Sequence, residues 1–321
     1  MKENGFVAFY DKHKISPVSQ DISDLDRHVG RRRKLYRMLG IDYRLFRGAE
    51  ILEVGAGSGY NALVFLLMGA RMDIVEPNPT GRAEMEKLFS EYGINPSQYT
   101  IYDCVVEEFQ VIKQYDFVIA EGFLPIFSRD QRQKILKRLF QCVKTNGYLV
   151  ITTICEFSYF FEYLRVILGL ILTREIKEFD SQVSVLSAAF SSHLKSLKFA
   201  SRPIEDWVKD SILNPVGDLL SFTIADSIKE LSLVCRNIAD FEVISTSPCL
   251  VSNLSWYKDL DYLYSDIILR EFDKKRHLLL CTKFTDGLRD REKNQRLAIR
   301  LALLREYIRL YRGGAIITTL C

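Results

Sequence analysis

A glycine-rich loop between two apolar segments constrains the fold of this chain more than any other feature. Residues 51–60, ILEVGAGSGY, begin with a short apolar run that is typical of a buried strand. The three glycines allow positive φ and place no Cβ between the backbone and a neighbouring molecule. A mostly apolar stretch to Met68 predicts a helix that stops at Gly69, and residues 73–77, DIVEP, predict a second strand. We therefore expect a β-loop-α-β unit.

The glycine spacing distinguishes two classes of nucleotide-binding loop. A dinucleotide loop has the order G-x-G-x-x-G, which sets a pyrophosphate on the helix N-terminus. Here Tyr60 occupies the last position of that pattern, and Gly59 comes one residue early. The order E-x-G-x-G-x-G from Glu53 onward resembles motif I of the class I S-adenosylmethionine-dependent methyltransferases. The resemblance implies bound S-adenosyl-L-methionine, with its methionyl part over the glycine loop and its ribose hydroxyls on Glu76.

The resemblance covers roughly residues 48–153 and keeps the family's order of elements. It implies an α/β fold, a Rossmann-like seven-stranded methyltransferase sheet with helices on both faces. Ser128 can cap a helix that follows the fourth strand, and Asn146 with Gly147 supplies a tight turn before the fifth. Strands three to five are expected at residues 98–102, 115–120 and 144–152. The last two are expected at residues 241–246 and 277–282, antiparallel at one sheet edge.

The cofactor site implied by the resemblance consists of the glycine loop and the residues after each strand. Its members are Glu53, Gly55, Ala56, Gly57, Gly59, Glu76, Pro77, Asp103, Cys104, Glu121 and Gly122. Spaced glycines are in other proteins only turn formers, and Asp103 is equally a common helix cap. Glu121 has three alternatives, which are contact with the cofactor, contact with the acceptor, or a solvated loop position.

A hydroxyl acceptor would gain from a general base, and such a base is expected in the segments that cover the site. His13, His28 and His193 lie in those segments, and each has a structural role as its alternative. The catalytic candidates are His193, Glu121 and His13. The seven cysteines show no CxxC pair and no zinc spacing, so we predict no metal.

Regions outside the core are expected to determine which methyl acceptor binds. We predict an N-terminal helical cap at residues 1–47, the cofactor-binding core at 48–155, a helical insertion or lid at 156–239, the last strands at 240–288 and a C-terminal helix at 289–321.

The basic run at residues 31–34 predicts a solvated helix face, with a clamp for an anionic acceptor as the alternative. The apolar stretch at residues 157–172 is short for a membrane span and contains Glu162 and Arg165. A buried or partner-facing helix is favoured there over peripheral membrane contact.

Composition fits an enzyme of this class. A net charge of +3 in 321 residues is too balanced to indicate a nucleic-acid partner. Scattered cysteines indicate reduced thiols, and polar residues 1–20 do not resemble a secretory signal, so we expect a cytoplasmic protein.

Residues 289–312 are basic, with eight Lys or Arg against three Asp or Glu, and carry an apolar stripe. We expect that helix to dock on the domain or on a second copy of the chain in a homodimer.

The sequence therefore predicts a methyltransferase acting on an oxygen or nitrogen of a small-molecule or sugar-like acceptor. Methylation of DNA bases is disfavoured, because residues 120–125 read AEGFLP where such enzymes carry N/D-P-P-Y/F. Two alternatives stay open. One is a non-catalytic S-adenosylmethionine-binding scaffold or regulatory subunit, and the other is an aminopropyltransferase-type enzyme, whose usual Asp-rich acceptor site is not evident here.

Overall fold

A parallel sheet forms the centre of the chain. The computed structural model describes residues 5–16, 20–197, 202–215, 221–235, 241–249, 258, 264–280 and 289–313. Its strands are β1 (Glu50–Val54), β2 (Arg71–Val75), β3 (Tyr99–Tyr102), β4 (Tyr115–Ala120) and β5 (Val143–Ile151). They are ordered β3-β2-β1-β4-β5, and every neighbouring pair is parallel. The predicted Rossmann-like α/β sheet is confirmed for these five strands.

The position of β1 places a crevice above its carboxyl end. Ile51 pairs with Met72 of β2 on one side and with Phe117 of β4 on the other. The chain order therefore reverses direction at β1, and open α/β sheets bind ligands at such a switch point. Ile51 and Leu52 are fully buried on opposite faces, as expected for a parallel sheet covered on both sides.

Helices that precede the sheet or connect its strands cover the two sheet faces. One face packs against α2 (Leu25–Met38), α3 (Tyr60–Leu67) and α4 (Pro79–Glu91), and the chain starts with α1 (Gly5–His13). The other face packs against α5 (Arg129–Cys142), which Ser128 caps as predicted, in a capping box with Gln131. Short 3₁₀ turns lie at Tyr43–Phe46, Pro96–Gln98 and Leu124–Ile126.

A second group of helices follows the sheet in sequence. They are α6 (Phe160–Thr173), α7 (Phe179–Ser196), α8 (Ile204–Trp207) with a π-helical turn (Val208–Leu213), α9 (Ile224–Val234), α10 (Tyr264–Lys275), a 3₁₀ turn (Arg276–Leu280) and α11 (Arg291–Arg312). Leu186, Trp207, Ile212 and Ile308 share a core of their own in this layer. The predicted C-terminal helix therefore docks on the same chain. The five segment boundaries given above stay predictions.

Helix α6 corresponds to the apolar stretch noted in the sequence, and only one of its sides is buried. Tyr163, Val166 and Gly169 face the helical core. The opposite side exposes five large apolar residues, Phe161, Leu164, Leu168, Ile171 and Leu172. Among the described residues, none of the helices combines the length and apolar character that crossing a membrane requires.

The two strands predicted near the C-terminus are not found. Residues 241–246 form an irregular segment, and residues 277–280 belong to the 3₁₀ turn, while Cys281 and Thr282 lie outside the described residues. The apolar side chains of both segments pack on helices: Val243 contacts the Ile228 and Ile267 cluster, and Leu279 joins the cluster around Phe272. Short apolar runs do not reveal whether their partner is a strand or a helix. The strand assignments at 241–246 and 277–280 were wrong, and a seven-stranded sheet is not confirmed.

We predict that a buried ion pair between α5 and α9 contributes strongly to stability. Arg132 donates to both carboxylate oxygens of Glu230, at 3.2 and 2.8 Å, and the two side chains are 6% and 4% exposed. Arg132→Met leaves a buried, uncompensated carboxylate and should lower the free energy of unfolding by about 3–5 kcal/mol. The double variant Arg132→Met, Glu230→Leu should recover most of that loss. Urea denaturation of both variants measures the difference.

The matched control is an exposed ion pair on α4. Lys87 and Glu91 approach within 3.8 Å with side chains 77% and 56% exposed, so Lys87→Met should cost less than about 1 kcal/mol. Equal losses for Lys87→Met and Arg132→Met would contradict the assignment.

Candidate functional site

The glycine loop joins β1 to α3 and lies against α4. Gly59, with φ of 75°, precedes the first residue of α3, and a Cβ there would lie 2.4 Å from Met85 Cγ. On α4, a Cβ at Gly81 would lie 2.9 Å from the Gly57 carbonyl oxygen. Both contacts are too short for any residue but glycine, so the close approach of α4 requires these two residues. The loop backbone is thereby held at the carboxyl end of the sheet.

Strand alternation places three carboxylates on one side of this edge. Ile51, Ile74 and Ile119 share a sheet face, and the residues two positions later are Glu53, Glu76 and Glu121. Successive side chains of a strand point to opposite faces, so each glutamate follows its isoleucine on the same face. The acids predicted for the site are therefore neighbours.

Glu76 holds the glycine loop from the end of β2. Its Oε2 accepts a hydrogen bond from the Gly57 N–H at 2.6 Å, and its Oε1 accepts one from the Asn78 N–H at 2.8 Å. Burial raises the pKa of Glu76, although these two N–H donors oppose the shift. A carboxylate has about four lone-pair sites, so each oxygen keeps acceptor capacity for a further donor.

Glu53 is the least satisfied of the three acids. Its side chain is buried, and Oε2 has no hydrogen-bond partner among the described residues. Burial raises the pKa of Glu53 to about 8, the nearby Glu121 and Glu76 carboxylates add to the shift, and Arg32 opposes it. A buried carboxylate without a donor is costly, so this position suits a cationic or hydrogen-bonding group from a ligand.

Glu121 is bound by residues of the N-terminal helix. Arg32 donates to its two oxygens at 2.9 and 2.6 Å, and the Tyr36 hydroxyl donates to Oε1 at 3.1 Å. Asn61 of α3 lies 3.4 Å from Oε2. Burial alone would raise the pKa of Glu121, but the Arg32 guanidinium outweighs it and holds that pKa below its usual value. Glu121 is therefore a carboxylate in a closed network.

The basic run at residues 31–34 thus has two roles. Arg33 and Lys34 are exposed, as predicted for a solvated face, and Arg33 lies over the Tyr43 ring. Arg32 is buried and was missed as a site residue. Its position four residues before Tyr36 on one helix face was the available signal, because both side chains point inward together.

A cavity of about 390 Å³ connects this edge of the sheet with the helical layer. The core contributes the loop, the strand ends and residues 105–107, and the helices contribute α1, α6, the segment from Arg202 to Ser211, and α11. The predicted site residues that line it are Gly55, Gly57, Glu76, Pro77, Glu121 and Gly122. Tyr10, Arg202, Asp210 and Arg305 also line it and were not singled out from the sequence.

The other five predicted cofactor residues do not line the cavity; they are Glu53, Ala56, Gly59, Asp103 and Cys104. Asp103 is 70% exposed and forms an ion pair with Arg82 at 2.6 Å, and Arg82 also donates to the Glu76 carbonyl oxygen at 2.9 Å. Cys104 is half-buried, and the cavity wall begins at the next residue, Val105. The cofactor roles of Asp103 and Cys104 stay predictions.

The structure does not bring the candidate histidines to the cavity. His13 stacks on Phe179 with ring centroids 3.9 Å apart. His28 is buried, with Nε2 3.0 Å from the Tyr60 carbonyl oxygen. His193 Nε2 accepts a hydrogen bond from Arg165 at 3.1 Å. None of the three lines the cavity, so Glu121 is the one catalytic candidate that does. Over the described residues, no group of three or more His, Cys, Asp and Glu is placed to hold a metal ion.

Known proteins resemble this chain at the level of a family model and of solved structures. A family model described as a methyltransferase domain matches residues 26–231. Among solved structures, the chain is similar to the CcbJ methyltransferase from Streptomyces caelestis, with 15% identity over 36% of this chain and 49% of that one, at a TM-score of 0.32. It is also similar to PKMT2 from Rickettsia typhi in complex with AdoHcy, with 16% identity, 56% and 35% coverage and a TM-score of 0.41.

A third similar structure is magnesium protoporphyrin IX methyltransferase (ChlM) from Synechocystis PCC 6803 with bound SAM. It shows 13% identity over 44% of this chain and 65% of that chain, at a TM-score of 0.32. In all three comparisons the match covers less than two thirds of the solved chain. No curated protein matches this chain.

We predict that Glu53 makes the ligand-free protein less stable as the pH rises. Its pKa of about 8 in the folded state lies above the value of about 4.3 for an unfolded chain, so the folded state binds more protons between these values. Stability should therefore fall from about pH 5 to pH 8, by about 3–5 kcal/mol from this group alone. Glu53→Gln should remove most of this slope in urea denaturation at pH 5.5 and 8.5.

Glu91→Gln is the matched control, because the Glu91 side chain is exposed on α4. It should keep the pH slope of the unmodified protein. A Glu53→Gln variant that also kept that slope would refute the prediction.

Proposed function

Since this chain belongs to the methyltransferase-domain family, we propose that it transfers a methyl group from S-adenosyl-L-methionine to an oxygen or nitrogen of a small-molecule or sugar-like acceptor. The observation that carries this proposal is the placement of the Glu76 carboxylate across from the bare backbone of Gly57, at the switch point of the sheet. A carboxylate at the end of the second strand is the group that binds ribose hydroxyls in open α/β folds.

The residues present fit this cofactor at two carboxyl groups that can still accept hydrogen bonds. Each Glu76 oxygen keeps acceptor capacity beyond its backbone donor, which suits the two hydroxyls of a ribose. Glu53 has a buried oxygen without a donor, which suits the ammonium group of the methionyl part. When bound, the cofactor supplies a methyl group already activated by the positive sulfur.

The loop backbone also leaves the space that a ligand needs. A Cβ on Gly55 would lie 2.9 Å from the Phe123 ring, so only glycine lets the loop and this ring lie together at the cavity wall. We propose that Gly55, Ala56 and Gly57 support the methionyl part of the cofactor, and that Pro77 and Gly122 shape the wall beside it.

The chain's own contribution to the reaction is positioning and exclusion of water. Helices α1, α6 and α11 enclose the cavity with apolar and aromatic side chains such as Phe6, Val166 and Ile308. Precise orientation in a dry site contributes roughly 7–11 kcal/mol in favourable reactions. We propose that Glu121, which lines the cavity, positions the reactants. Arg32 keeps Glu121 in its carboxylate form and donates hydrogen bonds to both of its oxygens.

Loss of Glu76 should weaken cofactor binding. Glu76→Ala removes a buried charged acceptor, at a cost of about 1.5–3 kcal/mol in binding free energy, or roughly a tenfold to hundredfold weaker Kd. Calorimetry with S-adenosylmethionine and S-adenosylhomocysteine measures the change. Glu86→Ala, the same truncation on the exposed side of α4, is the control and should bind normally. Binding of NAD together with no binding of either sulfur compound would overturn the proposed function.

Glu53 should make cofactor binding depend on pH. At pH 7 its pKa of about 8 keeps Glu53 protonated in the free protein, and an ammonium group placed beside it would favour the carboxylate. Binding should therefore release a proton, and affinity for S-adenosylhomocysteine should rise from pH 6 to pH 8. Calorimetry in buffers of different ionisation enthalpy counts the released protons. Glu53→Gln should abolish the release, and an unchanged release in that variant would contradict the role of Glu53.

A further inference from the structure

The helical side of the cavity contains arginines whose hydrogen-bonding capacity is not used within the described residues. Arg202 donates from Nη1 to Asp210 Oδ2 at 2.9 Å, while its Nε and Nη2 are buried without a hydrogen-bond partner. Arg305 of α11 lines the cavity, is half-buried, and has neither a hydrogen bond nor an ion pair with the described residues. A guanidinium carries five N–H donors and no acceptor, so these two side chains leave a surplus of donors.

The carboxylates on this side of the cavity do not absorb that surplus. Asp210 already accepts from the Tyr10 hydroxyl at 2.9 Å, from Asn214 at 3.3 Å and from Arg202. Glu162 accepts from Trp207 at 2.5 Å and from Arg165 at 2.6 Å. Each oxygen of Glu162 and Asp210 thus already accepts a hydrogen bond from a neighbouring side chain, and the N–H groups of Arg305 are the donors that a ligand in the cavity can use.

The surrounding wall is apolar. Phe6 of α1, Val166 of α6 and Ile308 of α11 line the same side, and Ile308 lies almost one helical turn from Arg305. A molecule that fills this space would bury an apolar body and present hydrogen-bond acceptors, with negative charge, to the arginines. Guanidinium groups bind carboxylates and phosphates through paired N–H donors, and such charge-assisted bonds are stronger than neutral ones.

We propose that the methyl acceptor is an amphipathic anion, whose carboxylate or phosphate group binds the Arg305 guanidinium on a cavity wall that also contains Arg202. This inference rests on the proposed function and specifies its acceptor class. The anionic group anchors the acceptor on the helical layer, and the apolar body extends toward the glycine loop, where Gly55 and Glu76 form the opposite wall.

The test uses the full chain saturated with S-adenosylhomocysteine and three probes with the same eight-carbon tail: octanoate, octyl phosphate and octanol. Calorimetry should give about tenfold or tighter binding of at least one anion relative to octanol. Arg305→Met, which keeps length and apolar character, should abolish this preference, and Arg305→Lys should retain part of it. Comparison of the two anions distinguishes a carboxylate from a phosphate group.

Arg300→Met is the matched control, because Arg300 is exposed on the same helix and does not line the cavity. It changes net charge equally and should keep the anion preference. The affinity for S-adenosylhomocysteine and the unfolding midpoint should stay unchanged in all three variants, which excludes a role of Arg305 in cofactor binding or folding.

Three outcomes would overturn the inference. They are octanol binding as tightly as both anions, an equal loss in Arg300→Met and Arg305→Met, and a proportional loss of S-adenosylhomocysteine affinity in Arg305→Met. The proposed function has a separate readout. If S-adenosylhomocysteine does not bind the unmodified protein and the anion preference still depends on Arg305, the function fails while the anion site stands.

Discussion

The hydrogen bond from the Gly57 N–H to the Glu76 carboxylate joins the ends of the two strands on which the site is built. It crosses from the loop after β1 to the residue after β2 and is buried. Because Gly81 of α4 must pass within van der Waals contact of the same loop, the loop is held from two directions. The beginning of α3 and the position of the cavity wall follow from this arrangement.

The same edge concentrates negative charge that the protein compensates only in part. Glu53, Glu76 and Glu121 are brought together by strand alternation, and Arg32 forms an ion pair with Glu121. Backbone N–H groups bind Glu76, and Glu53 avoids the cost of burial by keeping its proton to about pH 8. A buried carboxyl group without a hydrogen-bond donor costs stability in the free protein, and a cation placed beside it would favour its ionised form.

The helical layer differs from the sheet edge in its balance of hydrogen-bond donors and acceptors. There each carboxylate oxygen of Glu162 and Asp210 already accepts a hydrogen bond, while N–H donors of Arg202 and Arg305 have no acceptor among the described residues. The cavity therefore has an acidic side on the sheet and a basic side on the helices. Two such sides in one cavity are complementary to two ligands of opposite charge, such as a cationic methyl donor and the anionic acceptor proposed above.

The local sequence pattern was sufficient to predict much of the core. The apolar runs that begin at residues 51 and 73, the glycine loop, the Ser128 cap and the apolar stripe of α11 each depend on neighbours within a turn or a strand. The structure has β1 at Glu50–Val54 and β2 at Arg71–Val75, so the second strand begins and ends two residues earlier than expected. The same reasoning was wrong at residues 241–246, because a short apolar run carries no information about whether a sheet edge or a helix will receive it.

Contacts between residues that are far apart in the sequence could not be predicted from local patterns. Arg32 meets Glu121 across 89 positions, Arg132 meets Glu230 across 98, and Tyr10 meets Asp210 across 200. The sequence by itself determined the loop and its flanking elements through periodicity and backbone freedom, and its resemblance to a known family implied the class of fold and the acids of the site. Only the tertiary structure decided which arginines are neutralised and which are left to a ligand, since that depends on the partners that packing brings within hydrogen-bonding distance.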